Sequence, residues 1–157
     1  MGDFVFNVAK GRVNELVNRV ANNDPANSAI IIVAINTSET DGNLQDLDTL
    51  AAVLANGNTA ELGNTGYARV VYTDSDLSTV TPDDTGNQQE ADIPDIEFGA
   101  ITDDDVDFTD LLVCYDSDTT SGDDSNIVPL TCHDFPIEVD GSEVVATINA
   151  DGFFRAS

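Results

Sequence analysis

The stretch from Phe108 to Arg155, FTDLLVCYDSDTTSGDDSNIVPLTCHDFPIEVDGSEVVATINADGFFR, decides the fold class. Three short apolar runs, Leu111 to Tyr115, Ile127 to Leu130 and Val144 to Ile148, are separated by acidic, turn-rich segments. Apolar runs of this length bounded by Gly, Asp, Asn and Ser clusters read as strands. Asp140-Gly141 lies between Phe135-Ile137-Val139 and Val144-Ala146-Ile148, the local pattern of a hairpin. The stretch is therefore expected to be a β meander, with the Phe153-Phe154 end built into its sheet. Nothing in it resembles an assembled catalytic centre, which points to a structural or interaction role and not to an enzyme.

Working outward, Phe4-Val5-Phe6 opens the chain as a short strand or docking segment. An amphipathic helix follows over Lys10 to Asn22, with Val13, Leu16, Val17 and Val20 on one stripe. Glu15 and Arg19 are spaced for an i,i+4 pair, and Pro25 cannot continue the helix. Ser28 to Asn36 is the strongest strand. Its unbroken apolar run predicts burial on both faces and a central place in the sheet. A second helix is expected from Asp41 or Asn43 through Ala55, with Leu44, Leu47, Leu50, Ala51 and Leu54 inward and Asn56-Gly57 as an αL stop. Tyr67 to Tyr72 reads as a strand. The polar segment 73–92 reads as an exposed loop or arm, and Ile93 to Ile101 as an extended segment whose Pro94 suits an edge. The sum is a single α+β domain over residues 1–157, an antiparallel-rich β-sheet or sandwich with two short covering helices.

Charge is the most unusual property. Thirty acidic residues face five basic ones, a formal net charge of -25 over 157 residues, and Lys10 is the only lysine. The acids are mostly Asp spread along the chain, so they do not form a solvating tail. An ordinary acidic surface would aid solubility. Excess Asp with almost no Lys fits better with a protein working in very high salt, where screening offsets self-repulsion. Nucleic-acid binding is excluded by the lack of Lys and Arg clusters, and anionic membranes are disfavoured for the same reason. No secretory leader, spanning segment or myristoylation pattern is legible. Three of the five cations, Lys10, Arg12 and Arg19, fall on the first helix. That makes it the least repulsive face for an acidic partner.

Three chemistries have candidate residues in the chain. Asp116, Asp118, Asp123 and Asp124 share one loop that superficially resembles an EF-hand. However, Gly122 falls one place late, and Ile127 stands where a bidentate Glu is required. These four remain the candidate ligands for Ca²⁺ or another cation, with a looser group at Asp103 to Asp107, against the plainer account of solvated turns. No cofactor is required. Cys132-His133-Asp134 holds the residue types of a nucleophilic triad, but neighbours on a strand point to opposite faces. Cys114 and Cys132 have no metal spacing and are expected to be free, buried thiols. Thirty acids give many chance carboxylate pairs, so none argues for glycoside hydrolysis.

Three segments carry a resemblance: GDFVFNVAKGRVNELVNRVANNDPANSAIIIV, LLVCYDSDTTSGDDSNIVPLTCHDF and the ending DGFFRAS. The chain resembles small proteins encoded among the structural genes of tailed viruses and prophages. The resemblance implies a virion component, a capsid decoration (cement) protein on the outer surface of the head, or else a turret, neck or tail protein. It implies the major capsid protein or other virion proteins as partners and homo-oligomerisation, with a trimer expected at a symmetry axis. The place would be the capsid surface, reached from the host cytoplasm during assembly. No catalytic residue is carried over. The acidity departs from less charged members of the group and fits a virus of a halophilic host. Expected contact residues are Phe4, Phe6, Arg12, Arg19, Pro82, Phe153 and Phe154. A Ca-dependent non-enzymatic binding module is the reading from a different class.

Overall fold

Nine consecutive residues, Ala29–Thr37, form the strand around which the rest is laid, and all but Asn36 are buried. The computed structural model describes residues 2–104 and 106–157. In chain order the elements are β1 (Phe4–Val5), α1 (Val13–Ala21), β2 (Ala29–Thr37), α2 (Asp41–Gln45), α3 (Leu50–Leu54), β3 (Thr59–Glu61) and β4 (Val70–Tyr72). They continue with β5 (Pro82–Asp83), β6 (Gln88–Ala91), β7 (Ile96–Ala100), β8 (Phe108–Asp116), β9 (Val128–Ile137), β10 (Glu143–Ala146) and β11 (Phe154–Ala156). The fold class is α+β with antiparallel sheets.

The main sheet runs β1-β9-β8-β2, and the far edge of β2 is shared by β3 and β4. Both edges of β2 are thus paired: Ala29 to Ile35 against β8, Ile30 to Ile32 against β4, and Ile35 to Thr37 against β3. The β2 and β8 side chains supply most of the buried Ile, Val and Leu of the core. α1 packs on β2 and also on β6 and β11, α2 on β1, and α3 on β3 and the 3-10 turn Asp124–Asn126.

Several local expectations are corrected. Asp140-Gly141 does not join two paired strands: β10 crosses to β7 and forms a separate two-stranded sheet, with Val144 opposite Gly99. The Asp140 carboxylate accepts from Ser142 N, and Gly141 takes φ +87°, so the chain turns off the main sheet. The alternation of apolar residues specified a strand but not its partner. The chain's end is also built into a sheet, but a third one, in the order β11-β6-β5.

The second helix is split. Thr49 is extended and its hydroxyl accepts from Ala52 N at 3.1 Å, so α3 starts afresh behind its own cap. Asp46, Asp48 and Thr49 are poor helix-interior residues because their side chains compete for backbone groups. Gly57 does not take a positive φ, so the αL stop is not formed. Two expected covering helices become three short ones.

Segment 73–92 is exposed at its tip, from Pro82 to Asn87, but its arms are tied down. They form β5 and β6, Val80 N donates to Asn18 Oδ1, and Asn14 Nδ2 donates to Gln89 O.

Candidate functional site

The site is built on α1 and its neighbour β11. Arg12 and Arg19 flank Glu15, with Nε at 3.6 Å and 2.9 Å from its carboxylate. The bond to Glu15 raises the Arg19 pKa. The Lys10 ammonium donates to Asn7 Oδ1 at 2.5 Å. Arg155, on β11, lies 3.6 Å from Asp151 and 3.8 Å from Glu90. Four of the five basic residues therefore gather on α1, its lead-in and the strand it touches. These pairs are about half-exposed and worth little to stability, so they remain available for exchange with a partner's carboxylates. Between α1 and β11 lies a cleft of about 330 Å³ lined by Gly11, Val13, Asn14, Gln89, Phe154 and Ala156 among others. Asn14 is buried there. Its amide nitrogen is bonded to Gln89, while its Oδ1 has no partner.

The structure brings Arg12 and Arg19 together around Glu15, near Tyr115 of β8, whereas Phe154 lines the α1–β11 cleft with Asn14 and Gln89. Pro82 lies on β5, the far strand of the same small sheet. Phe153 turns to the other side, where its ring meets that of His133 edge-on at 6.3 Å. It closes a groove of about 300 Å³ lined also by Ile96, Leu111, Val113, Phe135 and Ala146. Phe4 and Phe6 are a correction. They are 9% and 0% exposed with ring centroids 5.1 Å apart, and Phe4 is paired with Cys132. Both anchor the N-terminal segment to β9 and are not presented to a partner. Sequence reasoning missed Arg155, whose signal was a cation beside the Phe pair. It also missed Asn14 and Gln89, which carried no signal.

The four candidate carboxylates of the 116–126 loop do not converge. Asp116 is buried and accepts from Asp118 N. Asp118 accepts from the amide and hydroxyl of Thr120, and Asp123 from those of Ser125; these bonds lower both pKa values. Asp124 is held by Arg69, which also grips Glu61, with N–O distances of 2.6 to 2.9 Å. Each carboxylate has a separate task, so the loop is a series of turns and one ion-pair clamp. Among the described residues, no three His, Cys, Asp or Glu side chains are gathered as a metal-binding group. In the 103–107 segment, Asp104 accepts from Thr65 N and Thr102 Oγ1, and Asp107 from Val139 N. Asp105 lies outside the described residues.

Cys114 and Cys132 are free and buried, and burial pushes both thiols well above their ordinary pKa. Cys132 and His133 point to opposite faces of β9. The thiol donates to Asp110 Oδ1 at 3.7 Å. The imidazole Nε2 bonds Thr131 Oγ1 at 2.8 Å, and its Nδ1 lies 3.6 Å from the Asp3 carboxylate. Burial lowers the His133 pKa despite Asp3. No thiolate–imidazole pair can form between these two neighbours in this geometry.

No known family model, curated sequence or solved structure matches the chain. Among the described residues, no helix is long and apolar enough to cross a membrane.

Proposed function

We propose that this protein is a non-enzymatic virion component that binds the outer surface of a tailed-virus capsid shell as a decoration protein. It would act as a homo-oligomer, a trimer at a symmetry axis, taken from the host cytoplasm onto the capsid surface during assembly. The observation that supports the reading most is where the three resembling segments lie. The first supplies β1, α1 and the first half of β2, Ala29 to Val33, the second supplies most of β8 and β9, and the last supplies β11. The residues that carry the resemblance thus make up most of the main-sheet strands β1, β9 and β8, the first half of β2, and the α1–β11 face.

The contact surface we assign is the exposed side of α1 and β11, with Arg12 and Arg19 around Glu15 on the α1 segment, Arg155 on β11 and Phe154 in the cleft between the two elements. On a chain of net charge -25, it is where an acidic shell is approached with least repulsion. High salt, which screens the remaining surface, fits a halophilic host.

Co-sedimentation with purified shells across a salt series tests this. Pelleting at a fixed ratio to the major capsid protein is expected, and the R12E/R19E variant should pellet less at every salt concentration. Recovery only in tail or neck fractions would assign the protein to that part of the virion instead. Absence from particles altogether would overturn the proposal.

A further inference from the structure

The main sheet buries one carboxylate that no basic side chain among the described residues pairs with. Asp110 is fully buried on β8, its Oδ1 accepts a weak bond from the Cys132 thiol, the neighbouring Thr109 side chain also favours its charged form, and its Oδ2 has no hydrogen-bond partner. Directly opposite it in the β8–β9 register stands a second acid, Asp134. Opposed residues of an antiparallel pair hold their Cβ atoms roughly 4.5–5.5 Å apart on one face, and like charges there destabilise. Both residues line a cleft of about 330 Å³, with Thr37, Thr109, Pro136 and a third acid, Glu39, around it.

No basic side chain reaches this cleft. Arg69 is held by Glu61 and Asp124, Arg12 and Arg19 by Glu15, Arg155 by Glu90 and Asp151, and Lys10 bonds Asn7. A buried carboxylate without a cationic partner or a full set of hydrogen bonds is costly, and such groups are paired or coordinate metal. Water alone would satisfy Oδ2 but leave the repulsion from Asp134 in place.

We propose that Asp110 and Asp134 bind a hydrated divalent cation, Mg²⁺ or Ca²⁺, in the cleft at the β8–β9 edge. Two carboxylates with water completing the shell are a common arrangement for Mg²⁺, and an all-oxygen site accepts Ca²⁺ as well. The site is distinct from the 116–126 loop, whose carboxylates are engaged separately. It is specified only when β8 and β9 pair, because its two ligands stand 24 positions apart in sequence. The ion would tie β8 to β9 at the point where the ladder is irregular, between Phe108 and Asp110.

The test is thermal unfolding and calorimetric titration of the full chain with MgCl₂ and CaCl₂, at ionic strength held constant with NaCl. A saturable rise in melting temperature and a stoichiometry of one ion are expected. Loss of a direct carboxylate ligand should weaken binding at least as much as the ~10–100-fold cost of losing an outer-shell partner. Asp134→Asn, at an exposed position that need not disturb the core, should therefore show that loss, and Asp110→Asn should abolish the response. Asp118→Asn, in the exposed turn, should leave it unchanged. The proposal is overturned if neither divalent ion acts beyond NaCl, or if Asp134→Asn retains the full response. It is equally overturned if Asp110→Asn raises the melting temperature at neutral pH without any ion dependence, which would identify a retained proton as the neutralising group.

Discussion

Arg69 is hydrogen-bonded in a clamp of two carboxylates, and its value can be judged from its surroundings. Its guanidinium is about a quarter exposed and makes bidentate contacts to both Glu61 and Asp124. It thereby joins β3 to the 3-10 turn that precedes β9. Fork-to-fork geometry is the strong form of such a pair, but partial exposure discounts it. Arg69→Met should cost about 2 kcal/mol in denaturant unfolding, less than the 3–5 kcal/mol of a fully buried pair. Arg69 also holds the Asp124 carboxyl below its ordinary pKa. A depressed carboxylate pKa contributes stability that is present above the unfolded value and is lost as pH falls through the folded one. Stability of the wild type should therefore decline below about pH 4 more steeply than that of Arg69→Met. Parallel pH profiles of the two proteins would refute this role for the clamp.

At the scale of elements, the C-terminal strand depends on one glycine. Gly152 has φ +79°, and a Cβ there would collide with the Ala91 carbonyl oxygen. That carbonyl accepts from Phe153 N as the chain enters β11. Gly152→Ala combines left-handed strain with a backbone clash and should cost about 1–3 kcal/mol. The loss should be local: hydrogen exchange would show lost protection in β6 and β11 while β2 and β8 stay protected. Equal loss across the main sheet would mean that the small sheet is not a separable unit. Element identity was well marked in the chain. The Val13-Leu16-Val17-Val20 stripe located α1, and the apolar run from Ala29 located β2. The split at Thr49 was less visible, because a side-chain cap competes with helix continuation only once the backbone has turned there.

For the molecule as a whole, charge is the controlling quantity. Thirty acids and five bases on 157 residues mean that most surface pairs repel. Screening shortens their reach from about 10 Å at 0.1 M salt to about 3 Å at 1 M. The melting temperature should rise steadily with NaCl over this range, and chemically different monovalent salts should act alike at equal ionic strength. A flat response would show that the acidic surface is neutralised by other means.

Composition and local pattern by themselves determined the antiparallel α+β class, the central position of β2 and the extreme negative charge. Each follows from residue type or from periodicity along a short window. That Cys114 and Cys132 are unbridged needed the structure. Tertiary structure alone decided the partners: β10 with β7, β11 with β6, Asp124 with Arg69, and Phe4 and Phe6 with the core. It also set Asp110 opposite Asp134 and gave each carboxylate of the 116–126 loop its own separate partner. An alternating strand is compatible with any edge of matching length, and an Asp with any donor within reach. Which one each meets is settled by the packing of distant segments into one core, which no local window contains.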